Sequence, residues 1–195
     1  LSSKKQIDYD NIKFASFKKI TNAKMDVKTN ELEIYGVEEI KVSNKAQVKI
    51  IPGSDTIKVG KNRNMKFGGK VIAGKVDFVG TPFDFDYDSY SLRMDKIDSL
   101  VLFIPEGDGK PNENGEVKLV PSQTPIEHIS GTLFIVEADD KAGTRENLRY
   151  PYFSGKDTAN TFYDKGKNGK EYDREKFKFE MAPFQKVQIW NGTIS

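Results

Sequence analysis

The chain contains no cysteine, so disulfides, thiolate metal centres and cysteine nucleophiles are all excluded. Histidine is nearly absent as well. His128 stands alone, and most hydrolase and metalloenzyme constellations need more than one imidazole. Charge of one sign is missing too: 31 Lys and Arg stand against 29 Asp and Glu, a formal charge of +2. That balance gives no electrostatic basis for binding duplex nucleic acid or an anionic membrane surface. No apolar run approaches the roughly 20 residues of a bilayer-crossing helix, so no membrane span is expected. Ala and Leu together supply only 16 of the 195 residues, although both are ordinarily among the commonest. A chain this poor in the strongest helix formers has little from which to build helices.

What is abundant points the other way. Val, Ile, Phe, Tyr, Thr and Trp together make up 61 residues, and these β-branched and aromatic types fit a pleated sheet. At 22.0 kDa the chain has room for one sizeable domain. The composition predicts an all-β fold, read as a single module over residues 1–195.

Alternating apolar positions mark the expected strands: Ile12/Phe14, Met25/Val27, Leu32/Ile34, Ile40/Val42, Val48/Ile50 and Ile57/Val59. A dense stretch from Met65 to Ile104 follows, with Met65/Phe67, Val71, Val76/Phe78, Phe83/Phe85/Tyr87 and Leu100/Leu102/Ile104. Glu106 to Gly115 has the Gly, Pro and amide content of a surface loop. Leu133 to Val136 reads as a short buried strand, and Phe177/Phe179/Met181 resumes the alternation. Between them, residues 137–176 are polar and turn-rich and read as a long loop region anchored by Phe153, Phe162 and Tyr163. Near the end, Asn191-Gly192 carries the two-residue hairpin signal but only three residues follow it. Together with the start at Leu1, this suggests an excerpt of a longer polypeptide. A β-sandwich or an irregular twisted antiparallel sheet is the expected architecture. A β-solenoid-like arrangement is the alternative, prompted by the recurrence of Gly68, Gly69, Gly74 and Gly80, although no fixed repeat length emerges.

Few side-chain groups suggest chemistry. Asp84, Asp86 and Asp88 alternate with Phe83, Phe85 and Tyr87. On one strand the carboxylates would share a face, roughly 6.6 Å apart, as a hard cation such as Ca²⁺ could use. The competing reading is a solvated acidic face behind a half-buried strand. Asp164, Asn168 and Glu175, with Gly169 between them, partly match a calcium loop. Gly166 replaces one ligand there, and Lys165, Lys167 and Lys170 would repel a cation, so an ordinary hairpin loop is the rival. Calcium is thus the one cofactor with any sequence signal. His128 lies two residues from Ser130, but no G-x-S-x-G elbow exists to make a nucleophile. No catalytic residue is assigned and no enzyme activity is expected. A glycoside hydrolase using two carboxylates is the residual enzymatic alternative. Tyr150, Tyr152, Tyr163, Tyr172 and Trp190 are candidate contacts for a carbohydrate.

Several segments are similar to parts of very long, functionally uncharacterised exported proteins of Bacteroidota. They include Asn64-Met-Lys-Phe-Gly-Gly-Lys-Val-Ile-Ala-Gly-Lys-Val-Asp-Phe-Val-Gly80, Phe83-Asp-Phe-Asp-Tyr87 and Met94-Asp-Lys-Ile-Asp-Ser-Leu100. Ile129-Ser-Gly-Thr-Leu-Phe-Ile135, Tyr150-Pro-Tyr-Phe153, Phe162-Tyr-Asp164 and Tyr172-Asp-Arg-Glu-Lys-Phe-Lys-Phe179 extend the resemblance. It covers most of the chain from about Asn30 to Pro183, and its motifs are structural rather than catalytic. The resemblance implies a periplasmic, outer-membrane-associated or extracellular location. It also implies O-glycosylation where Asp precedes Ser or Thr and a small or aliphatic residue: Thr56, Ser99 and Thr158 fit. The expected function is a non-enzymatic structural or interaction module of a larger cell-envelope protein. Its partners would be flanking segments of the same polypeptide or other envelope proteins, with a carbohydrate-binding module as the alternative.

Overall fold

In the computed structural model, the residues described are 12–145, 147, 149–162, 176, 178–183 and 187–188. They are all-β. Sixteen strands join in one antiparallel sheet. They are β1 (Lys13–Ser16), β2 (Ala23–Asp26), β3 (Glu31–Tyr35), β4 (Val37–Ser43), β5 (Val48–Pro52) and β6 (Thr56–Val59). Three long strands follow, β7 (Met65–Ala73), β8 (Val76–Asp86) and β9 (Ser91–Pro105). The rest are β10 (Leu119–Pro121), β11 (Ile126–Glu127), β12 (Ile129–Phe134), β13 (Tyr152–Gly155), β14 (Ala159–Phe162), β15 (Lys178–Met181) and β16 (Val187–Gln188).

The sheet forks on its long central strands. The end of β7, from Gly69 to Ala73, pairs with β5, while its start, Met65 and Lys66, pairs with β6. On the far side, β9 pairs through Ser91–Ile97 with β12, and through Leu100 with β11. Two leaves result, joined through β7, β8 and β9. Along the first leaf one cross-strand row reads Phe14, Ile40, Ile50, Val71, Phe78, Leu100, Ile126, Thr161, Phe179. Along the second a row reads Met25, Leu32, Val59, Met65, Phe85, Leu92, Leu133, Phe153. Period-2 alternation sends both rows to the inner face. The rows meet where the Phe78 and Phe153 rings lie 5.2 Å apart. Burying these side chains against one another is what holds the leaves face to face.

A crease runs across the sheet where the leaves diverge. Register shifts fall between Phe67 and Gly69, between Val79 and Gly80, and between Ile129 and Gly131, on neighbouring strands. Bulges of this kind sharpen local twist and bend the strand. Gly80 is required there, because a Cβ would press on the Lys96 carbonyl and lie 3.1 Å from Ile97 Cα. Gly69 adopts φ +135, closed to side-chain-bearing residues. The glycines that prompted the solenoid alternative are therefore crease and turn residues. All pairings between described strands are antiparallel, a folded meander instead of the stacked coils of a solenoid.

Glu106 to Gly115 is the exposed loop expected, between β9 and β10. The 137–176 stretch is not loop throughout, since β13 and β14 lie inside it. Phe153 and Phe162 anchor those strands in the core. Polar neighbours hid both strands, because their apolar residues are few and the partners that complete the pattern are distant in sequence.

Candidate functional site

Asp84, Asp86 and Asp88 do not form one row. Asp84 and Asp86 stand on the outward face of β8, and Asp88 falls in the turn beyond its end. Phe83 and Phe85 on the opposite face are buried, as the alternation required. Asp84 accepts a 2.7 Å hydrogen bond from the Arg93 guanidinium, and Lys66 lies 3.9 Å away. Asp86 is occupied by the turn, accepting from the backbone N–H of Asp88 at 2.8 Å and Ser89 at 3.3 Å. The charges of the first two are thus spent on a cross-strand ion pair and on turn closure. No group of three or more acidic or His side chains among the described residues could hold a metal ion. The other calcium candidate, Asp164, Asn168 and Glu175, lies outside the described residues, as do Tyr163, Tyr172, Trp190 and the Asn191-Gly192 turn.

The three glycosylation candidates separate by position. Thr56 is half-buried in β6, with its hydroxyl donating to Ser54 O at 3.0 Å. Ser99 is half-buried inside β9. Thr158 is exposed in the short connection between β13 and β14. Its neighbour Asp157 accepts a short hydrogen bond from the buried Ser130 hydroxyl, and Ala159 is wholly buried. The connection is pinned on both sides of an accessible hydroxyl. Ser130 is therefore engaged with Asp157. His128 is exposed, its ring edge-on to Phe162 with centroids 6.2 Å apart.

The start of the 137–176 region, read from the sequence as loop, is organised around Asp140, a buried residue that the sequence reading did not single out. Its Oδ1 accepts from Thr144 N at 2.8 Å and Thr144 Oγ1 at 2.7 Å, and its Oδ2 accepts from Arg145 N at 2.8 Å. Burial alone would raise this carboxyl's pKa, yet the bonds from Thr144 and Arg145 outweigh it and hold the group below its ordinary value. Arg145 bridges outward to Asp139 at 2.5 Å and Glu137 at 3.3 Å. Asp140 preceding Thr144-Arg145 is the one signal that could have found it, as a side chain capping backbone N–H groups further along.

Aromatic rings collect on the outward face of the second leaf. Phe134 on β12 and Tyr152 on β13 are cross-strand partners, stacked with centroids 4.7 Å apart at 16°. Tyr150 leans on Tyr152 at 5.2 Å. All three rings are half-exposed, whereas Phe153 points inward and is buried. A second group joins Tyr87 to Arg63 and Lys141, whose cations lie 4.8 and 5.3 Å from its ring centroid.

The sheet's margins carry the remaining unusual surface. Both inner rows run out to the edge in exposed residues, Phe14 (39% exposed) and Phe179 (58%) on the first leaf and Met25 (52%) on the second. Phe17, Ile20 and Val27 are exposed beside them. Large apolar side chains concentrated on strand edges are the usual material of strand addition. The alternation in 12–28 was legible, but not that it lies on strands, β1 and β2, that each pair with one neighbour among the described residues.

No family model, curated protein or solved structure matches this chain. No helix among the described residues is long and apolar enough to cross a membrane.

Proposed function

We propose that this chain is a non-enzymatic structural and interaction module of a larger bacterial cell-envelope or exported protein. Its working surface is the set of free strand edges, and its partners are flanking segments of the same polypeptide or neighbouring envelope proteins. The observation that carries this reading is the pair of inner apolar rows, each of which reaches the sheet margin in a large exposed side chain. The resemblance to long exported proteins of Bacteroidota supplies the setting, periplasmic, outer-membrane-associated or extracellular. In that setting Thr158, exposed between two anchored strands, is the best placed of the three glycosylation candidates.

The test is fractionation of source cells with an antibody against this segment. The expected result is an envelope or secreted band well above 22.0 kDa, reduced in mass by Thr158→Ala. A cytoplasmic band near 22.0 kDa would overturn the reading.

A second reading has one specific observation in its favour. The half-exposed Phe134, Tyr150 and Tyr152 rings offer the aromatic surface on which sugars stack. A carbohydrate-binding module would retain glycans on an array and lose them on Tyr152→Ala. Retention that survives this substitution would exclude the platform.

A further inference from the structure

We infer that β2 is a self-pairing edge, to which a second copy of this chain adds antiparallel about a two-fold axis through Met25. The inference rests on the reading of strand edges as the contact surface, and it names the occupant of one of them.

The backbone is poised for it. Among the described residues β2 pairs only with β3. Tyr35 N donates to Asn22 O at 2.9 Å, which makes Asn22 and Tyr35 a hydrogen-bonded pair. Antiparallel pairs alternate, so Lys24/Glu33 and Asp26/Glu31 also bond inward, while Ala23 and Met25 turn their N–H and C=O groups to the free edge. A two-fold at Met25 lets the two Met25 residues exchange both bonds and brings Ala23 opposite Val27 of the second copy.

The side chains are complementary in that same register. Lys24 falls opposite Asp26 of the second copy, and Asp26 opposite its Lys24. Within its own sheet Lys24 already faces Glu33, but Asp26 faces Glu31, a like-charge neighbour. Asp26 Oδ1 accepts from Lys28 N at 2.8 Å and Thr29 N at 3.3 Å, and Lys24 of the same strand already acts on this acid, so the second copy's lysine would add a second positive charge beside it. Met25 ends the inner apolar row of its leaf, and Val27 just beyond it is 79% exposed. The added strand would continue the row with its own Met25 and set its Ala23 beside Val27, the first residue of the turn after β2.

Two other edges show what a less receptive margin looks like. β1 has a register shift between Phe14 and Ser16, and its Lys13 lies against Lys41, devices that discourage strand addition. β15 repeats the order of lysine, apolar residue and acid, but Lys178 closes on its own Glu180 at 2.8 Å. β2 has no register shift, and Lys24 acts on Asp26 electrostatically without the close contact that Lys178 makes with Glu180. One short strand pair buries less surface than a permanent dimer needs, so the association is expected to depend on concentration.

The test uses sedimentation of the full chain across a concentration series, with hydrogen exchange read on the same samples. The expected species is a dimer of twice 22.0 kDa, with the Ala23 and Met25 amides slowing as concentration rises. Lys24→Glu places two acids opposite each other twice and is expected to raise the dissociation constant roughly tenfold. Asp26 also closes its own turn, accepting from Lys28 N at 2.8 Å, so its replacement keeps an acceptor. Lys24→Glu combined with Asp26→Asn is expected to recover part of the loss. A monomer at every concentration up to the high micromolar range overturns the inference. So does a dimer indifferent to Lys24→Glu, which would leave the interaction reading standing with another surface in use. Open-ended assemblies would also overturn it, by showing head-to-tail pairing of unlike edges. The wider reading falls separately, on the cell-fractionation result.

Discussion

The Tyr90 hydroxyl donates a 2.9 Å hydrogen bond to the carbonyl of Val42, forty-eight residues earlier in the chain. Tyr90 sits in the turn between β8 and β9 at φ 50, wholly buried, and its ring meets Phe85 edge-on at 5.4 Å. Val42 belongs to β4, so the bond ties the end of one leaf to the body of the other. Tyr90→Phe keeps the ring and strands the carbonyl, which should cost about 1–3 kcal/mol. Urea unfolding of the two proteins measures this, and an unchanged midpoint would show that the bond does not hold the leaves.

The crease makes a second prediction. Gly80→Ala forces a methyl against the Lys96 carbonyl and the Phe83 ring edge, 3.0 Å away, and should destabilise by about 3 kcal/mol or more. Gly115→Ala is the control. Its Cβ meets nothing within 4 Å, so only the φ of +80 opposes it, at roughly 1–2 kcal/mol. Equal losses for the two would mean that the crease has room to relax.

Phe78 and Phe153 supply the third. Truncating either to Ala should cost about 3–5 kcal/mol by opening a cavity between the leaves. A double-mutant cycle should return a coupling of about 0.5–1.5 kcal/mol. Strict additivity would place the two rings in independent surroundings.

Asp140 gives the chain a local acid sensitivity. Its carboxyl is held below its ordinary pKa in the folded state, so its contribution is present above the unfolded value and lost as pH falls through the folded one. Asp140→Asn aims an amide N–H₂ at backbone donors and should loosen residues 137–145 at every pH, by about 1–3 kcal/mol locally. Limited proteolysis as a function of pH is the readout. The wild type should become cleavable in this loop only in acid and the variant already at neutrality; identical profiles would remove Asp140 as the organiser.

The exposed pair of Arg93 and Asp84 should matter far less. Arg93 is largely solvent-exposed, so Arg93→Ala should cost under about 1 kcal/mol, and thermal unfolding with and without added salt will show it. A larger loss would mean the cross-strand row of charges acts as a network.

Much of this was legible along the chain because a strand writes its own pattern. Phe83 and Phe85 are buried as their alternation with Asp84 and Asp86 requires, and Met65, Val71, Val76 and Leu100 lie in strands at the expected positions. Asp88 departs because the strand stops at Asp86, whose side chain caps the turn. That choice depends on two backbone donors and leaves no periodic trace. The 137–145 loop was legible as loop, but its organisation around Asp140 was not, since one buried carboxylate satisfies its donors and no repeated residue type announces it.

Composition and alternation by themselves determined that this protein is a sheet, where most of its strands lie and which faces they bury. These follow from local stereochemistry and the cost of exposing apolar surface. Which strands become neighbours, where the sheet creases and which apolar residues are left on a free edge were decided only by the tertiary structure. Met25 and Met65 both sit on inner-facing apolar strand positions. One is exposed and the other buried because β2 ends the leaf whereas β7 has partners on both sides.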